Sequence, residues 1–224
     1  VLEVRWSGAA PRRHMMIVAG VHGNETAGLL AVPRILDLLL QGGSGREGWR
    51  VTLISPANPV GVAYGSRYNG QGCDVNRDFA SPVSEEARIL QVAIAASKPQ
   101  LIVSLHEGPQ EGFLVVVTSR GSAPLARVVA RHVSDAGVPL ADRHFAGLPL
   151  GAPGVSAEGW GSDVLKWVLR LNTLGRHASG LSIGTYTTET PWSSPDSEGR
   201  IHAHVVAVEA LLEEGPTILD GAGS

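Results

Sequence analysis

The chain has 224 residues, 43 % of them hydrophobic and 17 % charged, with a net charge of −3 when histidine is neutral. This length and composition fit one globular domain over residues 1–224 and exclude a disordered chain, while the charge balance gives neither a basic face for nucleic acid nor an acidic tail. The single cysteine, Cys73, excludes an intramolecular disulfide and any four-cysteine zinc site.

In chain order, "MMIVAG" (15–20) has the pattern of a short buried strand. "ETAGLLAVPRILDLLL" (25–40) carries apolar residues at helical spacing, and Pro33 predicts a bend or an early end within it. "QGGSGREG" (41–48) is a loop by composition, and "RVTLISPANP" (50–59) a second strand ending in a turn. "VSEEARILQVAIAAS" (83–97) reads as a helix capped by Ser84. "LIVSLH" (101–106) and "GFLVVVTS" (112–119) are strands, and "PLARVVARHVSDAG" (124–137) is a helix closing at Gly137. Residues 147–163, rich in Gly, Pro and Ser, read as a loop; 164–175 read as a helix and 180–190 as a strand. "EGRIHAHVVAVEALLEEG" (198–215) is a closing helix with Gly215 as its stop. Strands alternating with helices predict an α/β sandwich around a mostly parallel sheet, with its site beyond the carboxyl ends of strands.

Four polar groups stand at such predicted strand ends. His22 follows the first strand, Glu25 opens the next helix, His106 ends "LIVSLH" and Glu189 stands next to last in "GLSIGTYTTET". Two histidines and one carboxylate leave a coordination position open for water, the ligand set of a catalytic zinc site. Each residue alone has a plainer role: His22 in a turn, Glu25 at a helix N-terminus, His106 as a satisfied core histidine. The polar segment 58–79 is long for a connection and holds Arg67, Asn76 and Arg77. Arginine suits bidentate carboxylate binding and the stabilisation of an oxyanion, although Arg77 could instead pair with Asp74 or Asp78.

The ordered elements "HGNE", "NPVG", "RYNGQGCDVNRDF", "SLHEG" and "TYTTET" span residues 22–189 and resemble the zinc carboxypeptidase superfamily. The resemblance implies a mixed sheet of about eight strands between helices. It implies one Zn²⁺ held by His22, Glu25 and His106, with Glu189 as general base and Arg67 as oxyanion stabiliser. Asn76 and Arg77 would clamp a free carboxylate on the substrate. The implied activity is metallocarboxypeptidase-like hydrolysis of an amide bond in a small peptide. The alternative is deacylation of an N-acyl amino acid, as in the succinylglutamate desuccinylase and aspartoacylase branch. "HGNETAG" resembles the acylase branch; "NPVG" and the Arg67–Arg77 spacing resemble the peptidase branch. Only 35 residues follow Glu189, so an appended C-terminal β-domain is not expected.

Several side chains have competing readings. Glu107, beside His106, is a rival base or an orienting group for a ligand, and Glu111 lies close behind. Tyr64, Tyr68 and Tyr186 read as half-buried aromatics with a possible reach to the site. "GLSIG" (180–184) fits G-x-S-x-G with Ser182 as nucleophile, but that motif needs a strand before it and a helix after it. His202 and His204 alternate on a predicted helix and share no face, so a second metal site is not expected. A non-catalytic binding domain is a further alternative, although every expected site position is filled. No apolar run is long enough to span a bilayer and the N-terminal stretch lacks a signal layout, so a cytoplasmic location without a membrane or nucleic-acid partner is expected.

Overall fold

The structure, a computed structural model, describes residues 1–5, 11–41, 46, 48–118, 120–142, 144–145, 148–156 and 172–221. Its strands are β1 (Leu2–Arg5), β2 (Arg13–Ala19), β3 (Trp49–Ile54), β4 (Leu101–Gly108), β5 (Leu114–Val117), β6 (His144–Phe145), β7 (Leu148–Ala152), β8 (Val155–Ser156) and β9 (Gly184–Pro191). Its helices are α1 (Thr26–Gln41), α2 (Pro59–Ala63), α3 (Glu85–Ser97), α4 (Ala123–Asp135), α5 (Leu174–Gly180) and α6 (Ser197–Gly221), with a 3₁₀ turn at Val75–Arg77. Among the described residues the strands form one nine-stranded sheet in the order β1-β3-β2-β4-β9-β5-β8-β7-β6.

The sheet is mixed rather than mostly parallel. Its centre, β3-β2-β4-β9, is parallel, and antiparallel pairing sets in at β1 on one side and at β5 on the other. Both faces of that centre are covered, which explains why β2 and β4 are buried along nearly their whole length. The period of two sorts their residues into two cores. Met15, Ile17 and Leu105 pack on one side with α1, α4 and α6, while Met16, Val18 and Ile102 pack on the other with α3 and α5.

Most elements form where the sequence pattern places them, and four differ in extent or type for identifiable reasons. α1 does not end at Pro33; apolar residues buried on both sides of the proline, Ala27, Gly28, Ala31, Ile35 and Leu39, keep the helix on the sheet. α6 does not stop at Gly215 and runs through Pro216 as well. Pro216 has no N–H to give the carbonyl of Leu212, and the indole Nε1 of Trp49 donates to that carbonyl at 2.9 Å instead. Part of the expected loop at 147–163 is the strand pair β7 and β8, joined antiparallel on the far side of β5. The turn chemistry of Pro153-Gly154 masked two short flanking strands. The strand expected from Gly180 starts at Gly184, because residues 174–180 form α5. Most of the helix expected at 164–175 lies outside the described residues.

Ser84 caps α3 as expected, its side chain accepting from the backbone of Ala87; such a cap stabilises a helix by about 1 kcal/mol.

Candidate metal centre and adjoining cavity

His22 sits in the turn between β2 and α1. That turn presses against the start of the 58–79 segment: Gly23 donates to the carbonyl of Ser66 at 2.8 Å. A Cβ on Gly23 would lie 2.0 Å from the backbone carbon of Gly61, so only glycine allows this contact. The contact holds Arg67 beside His22. Glu25 stands directly before the first residue of α1. His106 and Glu189 are register partners on the parallel neighbours β4 and β9, so their side chains share one face of the sheet. Both lie within their strands rather than beyond the ends, because β4 runs on to Gly108 and β9 to Pro191.

The three expected ligands converge. His22, Glu25 and His106 are each buried, and one ligand atom from each lies within 4.8 Å of the others. Glu25 is the hub: Oε1 is 2.6 Å from Nδ1 of His22, and Oε2 is 2.7 Å from Nδ1 of His106. The backbone N–H of Glu107 also donates to Oε2 of Glu25, at 3.2 Å. Burial alone would raise the Glu25 carboxyl, but the His106 and His22 imidazoles outweigh it and hold the group well below the usual carboxylate range. Two imidazole nitrogens and an ionised carboxylate oxygen, gathered in a buried site, suit a single divalent transition metal.

Asp74 completes this arrangement, and its role was not read from the sequence. Its Oδ1 is 3.2 Å from Nε2 of His22, the ring nitrogen facing away from Glu25. Its Oδ2 accepts from Nε of Arg67 at 2.9 Å. A carboxylate on the outer nitrogen of a ligating histidine fixes its tautomer and ring orientation. Burial works to raise the Asp74 pKa, yet His22 and Arg67 prevail and hold it at about 2. The signal available in the sequence was the Asp two residues before Asn76 in "GCDVNR".

Glu189 lines a cavity of about 600 Å³ beside the three ligands, together with His106, Asn76 and Arg77. Burial pushes its carboxyl up to about 7, and the Glu25 carboxylate acts in the same direction against His106. Asn76 Oδ1 accepts from the backbone of Leu174 at the start of α5, at 2.9 Å, which leaves the amide Nδ2 as its donor to a ligand. Arg77 donates to the backbone carbonyl of Asn76 and forms no ion pair among the described residues, so the pairing with Asp74 or Asp78 is not made. Asp78 instead binds the hydroxyl and backbone of Ser84. Arg67 reaches Oε1 of Glu25 at 3.6 Å and so stands beside the three expected ligands.

Glu107 points to the opposite face of β4 from His106 and Glu189. It accepts from the backbone of Ala27 at 2.8 Å and pairs with Arg200 of α6. It caps the start of α1 and fixes the backbone next to Glu25, which removes it as a rival base. Glu111 lines a different cavity. Tyr64 and Tyr68 are exposed, Tyr186 is buried with its hydroxyl accepting from the backbone of Ser122, and none of the three lines the site cavity. Ser182 lies in a turn that follows a helix and precedes a strand, the reverse of the order a nucleophile elbow requires. His204 is buried between the hydroxyls of Thr188 and Thr190, while His202 is exposed.

Residues 11–141 match the sequence profile of the succinylglutamate desuccinylase/aspartoacylase catalytic domain, more than half of the chain. The match includes His22, Glu25, Arg67, Asp74, Asn76, Arg77 and His106 and stops before Glu189. A stretch of 119 residues is 28 % identical to carboxypeptidase 2 of Trichophyton rubrum, covering 46 % of this chain and 21 % of that protein. The chain thus aligns with only about a fifth of this curated relative. The fold is similar to that of a candidate metallopeptidase of Shewanella amazonensis, with a TM-score of 0.74 and 20 % identity over 94 % of this chain and 79 % of that one. It is also similar to murein-tripeptide amidase MpaA of Escherichia coli O157, with a TM-score of 0.59 and 21 % identity over 90 % of this chain and 82 % of that one. The chain belongs to the succinylglutamate desuccinylase/aspartoacylase catalytic-domain family.

Proposed function

We propose that the chain is a zinc-dependent hydrolase that cleaves an amide bond in a small substrate bearing a free carboxylate, in the manner of a metallocarboxypeptidase. The observation that carries this reading is the convergence of His22, Glu25 and His106 beside a cavity that also holds Glu189, Asn76 and Arg77. One zinc ion held by the three ligands would supply a polarising positive charge and a water acidified to a pKa of about 7.

The remaining chemistry belongs to the chain. Glu189 accepts a proton from the attacking water at its carboxylate and delivers it to the leaving nitrogen, a task suited to a carboxyl raised to about 7. Arg67, braced by Asp74, stands where an oxyanion develops and stabilises it without reorganising. The Nδ2 group of Asn76 and the guanidinium of Arg77 bind the free carboxylate and set the distance from that anchor to the scissile bond. Arg120 and Arg176 line the same cavity. Its described walls therefore carry three guanidiniums against the single carboxylate of Glu189, a balance that favours an anionic substrate.

A second reading, deacylation of N-acyl amino acids, rests on the family match over residues 11–141. Both readings use the same residues and differ in which side of the amide fills the cavity. A side-by-side activity panel of short peptides, murein peptides and N-acyl amino acids, each with and without chelator, tests them. Chelator-sensitive release of a C-terminal residue is expected. Turnover confined to N-acyl amino acids would select the second reading, and turnover indifferent to chelator would overturn both.

A further inference from the structure

Gln110 is a buried side chain that none of the roles above uses. It is 7 % exposed, and neither its Oε1 nor its Nε2 has a hydrogen-bond partner among the described residues. An amide buried without partners is destabilising, and such a group calls for an explanation of its retention.

Its position supplies one. Side chains alternate along β4, so Gly108 faces the same side of the sheet as His106. A Cβ on Gly108 would lie 2.3 Å from Oε1 of Gln110 and 3.0 Å from Oε2 of Glu189. The turn after β4 thus brings Gln110 back over the space that the Glu189 carboxylate approaches, and glycine at 108 leaves room for both. Two acceptor oxygens facing one space repel. The oxygen and nitrogen of a side-chain amide have the same shape, and exchanging them presents a donor to Glu189. The Glu189 side chain has no hydrogen bond to another described residue, so the two unpaired groups complement each other.

We propose that Gln110 is a positioning residue whose side-chain amide nitrogen donates to the Glu189 carboxylate and holds it toward the cavity. The inference rests on the reading of Glu189 as the base. Gln110→Met, Glu189→Gln and the double variant test it, assayed for kcat and KM on an N-blocked dipeptide with a free C-terminal carboxylate, alongside metal content and thermal midpoint. Gln110→Met is expected to lower kcat about tenfold or more with KM, metal content and midpoint close to those of the parent, because a base held loosely is misplaced for proton transfer. In the Glu189→Gln background the same change should cost nothing further, the coupling expected of residues that act as one unit. A native kcat in Gln110→Met, or an equal loss in both backgrounds, would overturn the proposal. If Gln110→Met does not fold, Gln110→Glu sets a second carboxylate against Glu189 and should lose kcat; a native kcat there would overturn it equally. Native turnover by Glu189→Gln would instead remove the base assignment itself, whereas a slow Glu189→Gln with a normal Gln110→Met removes only the role of Gln110.

Discussion

Three side chains of the site make separable predictions. Glu189→Gln should retain the metal and lower kcat by about 10²–10⁴-fold, the usual weight of a general base; metal analysis beside steady-state kinetics checks both halves. Its carboxyl stands at about 7 through burial, and the positive charge of a bound ion favours the ionised form. Activity should therefore be present at neutral pH and lost as pH falls through a limb at or below 7 in kcat/KM. Arg77→Ala should chiefly raise KM for substrates with a free carboxylate; unchanged KM would contradict the clamp. Asp74→Ala removes the partner of both His22 and Arg67, and metal affinity should drop by about 10–100-fold in a competitive chelator titration. The convergence of His22, Glu25 and His106 was legible because they are residue types a turn or strand does not require. Asp74 was harder to read, since an aspartate in a Gly-rich segment looks like turn chemistry until its two partners are brought to it by the fold. Glu107 was ambiguous for a different reason: adjacency in sequence to His106 puts it on the other face of the strand.

Helices and strands were predictable where one period dominated and unpredictable where a distant partner changed a local rule. α6 outruns its Gly-Pro stop because Trp49, far away in sequence, serves the carbonyl that Pro216 cannot. Trp49→Phe leaves that buried carbonyl unpaired, and an unfolding free energy lower by about 1–3 kcal/mol is expected in denaturant melts. The β9–α6 contact carries a second test. His204 is buried against Thr188 and Thr190, and burial holds its pKa down at about 3, against 6.5 for an exposed histidine. Its folded form stays neutral while the unfolded chain takes up a proton, so the stability it contributes is present above pH 6.5 and is lost as pH falls from there toward 3. The thermal midpoint of His204→Leu should accordingly depend less steeply on pH between about 4.5 and 6.5 than that of the parent; parallel slopes would contradict the assignment.

For the molecule as a whole, the sheet divides the labour. One face of β4 and β9 carries His106 and Glu189 toward the cavity, and the other carries Glu107, Thr188 and Thr190 against α1 and α6. The expectation of a sandwich was sound because buried strands alternate with amphipathic helices. The balance of parallel and antiparallel pairing was not legible, since β7 and β8 are short and β5 gives no sequence sign of its direction. Among the described residues no helix is long and apolar enough to cross a membrane. The proposed function requires one metal ion at His22, Glu25 and His106. It is tested most directly by stripping the purified chain of metal and titrating zinc back while following amide cleavage. The stripped chain should show no turnover, with a linear recovery that ends at one equivalent and is absent in a His106→Ala variant. Full turnover by the stripped chain, or recovery undiminished in His106→Ala, would contradict it.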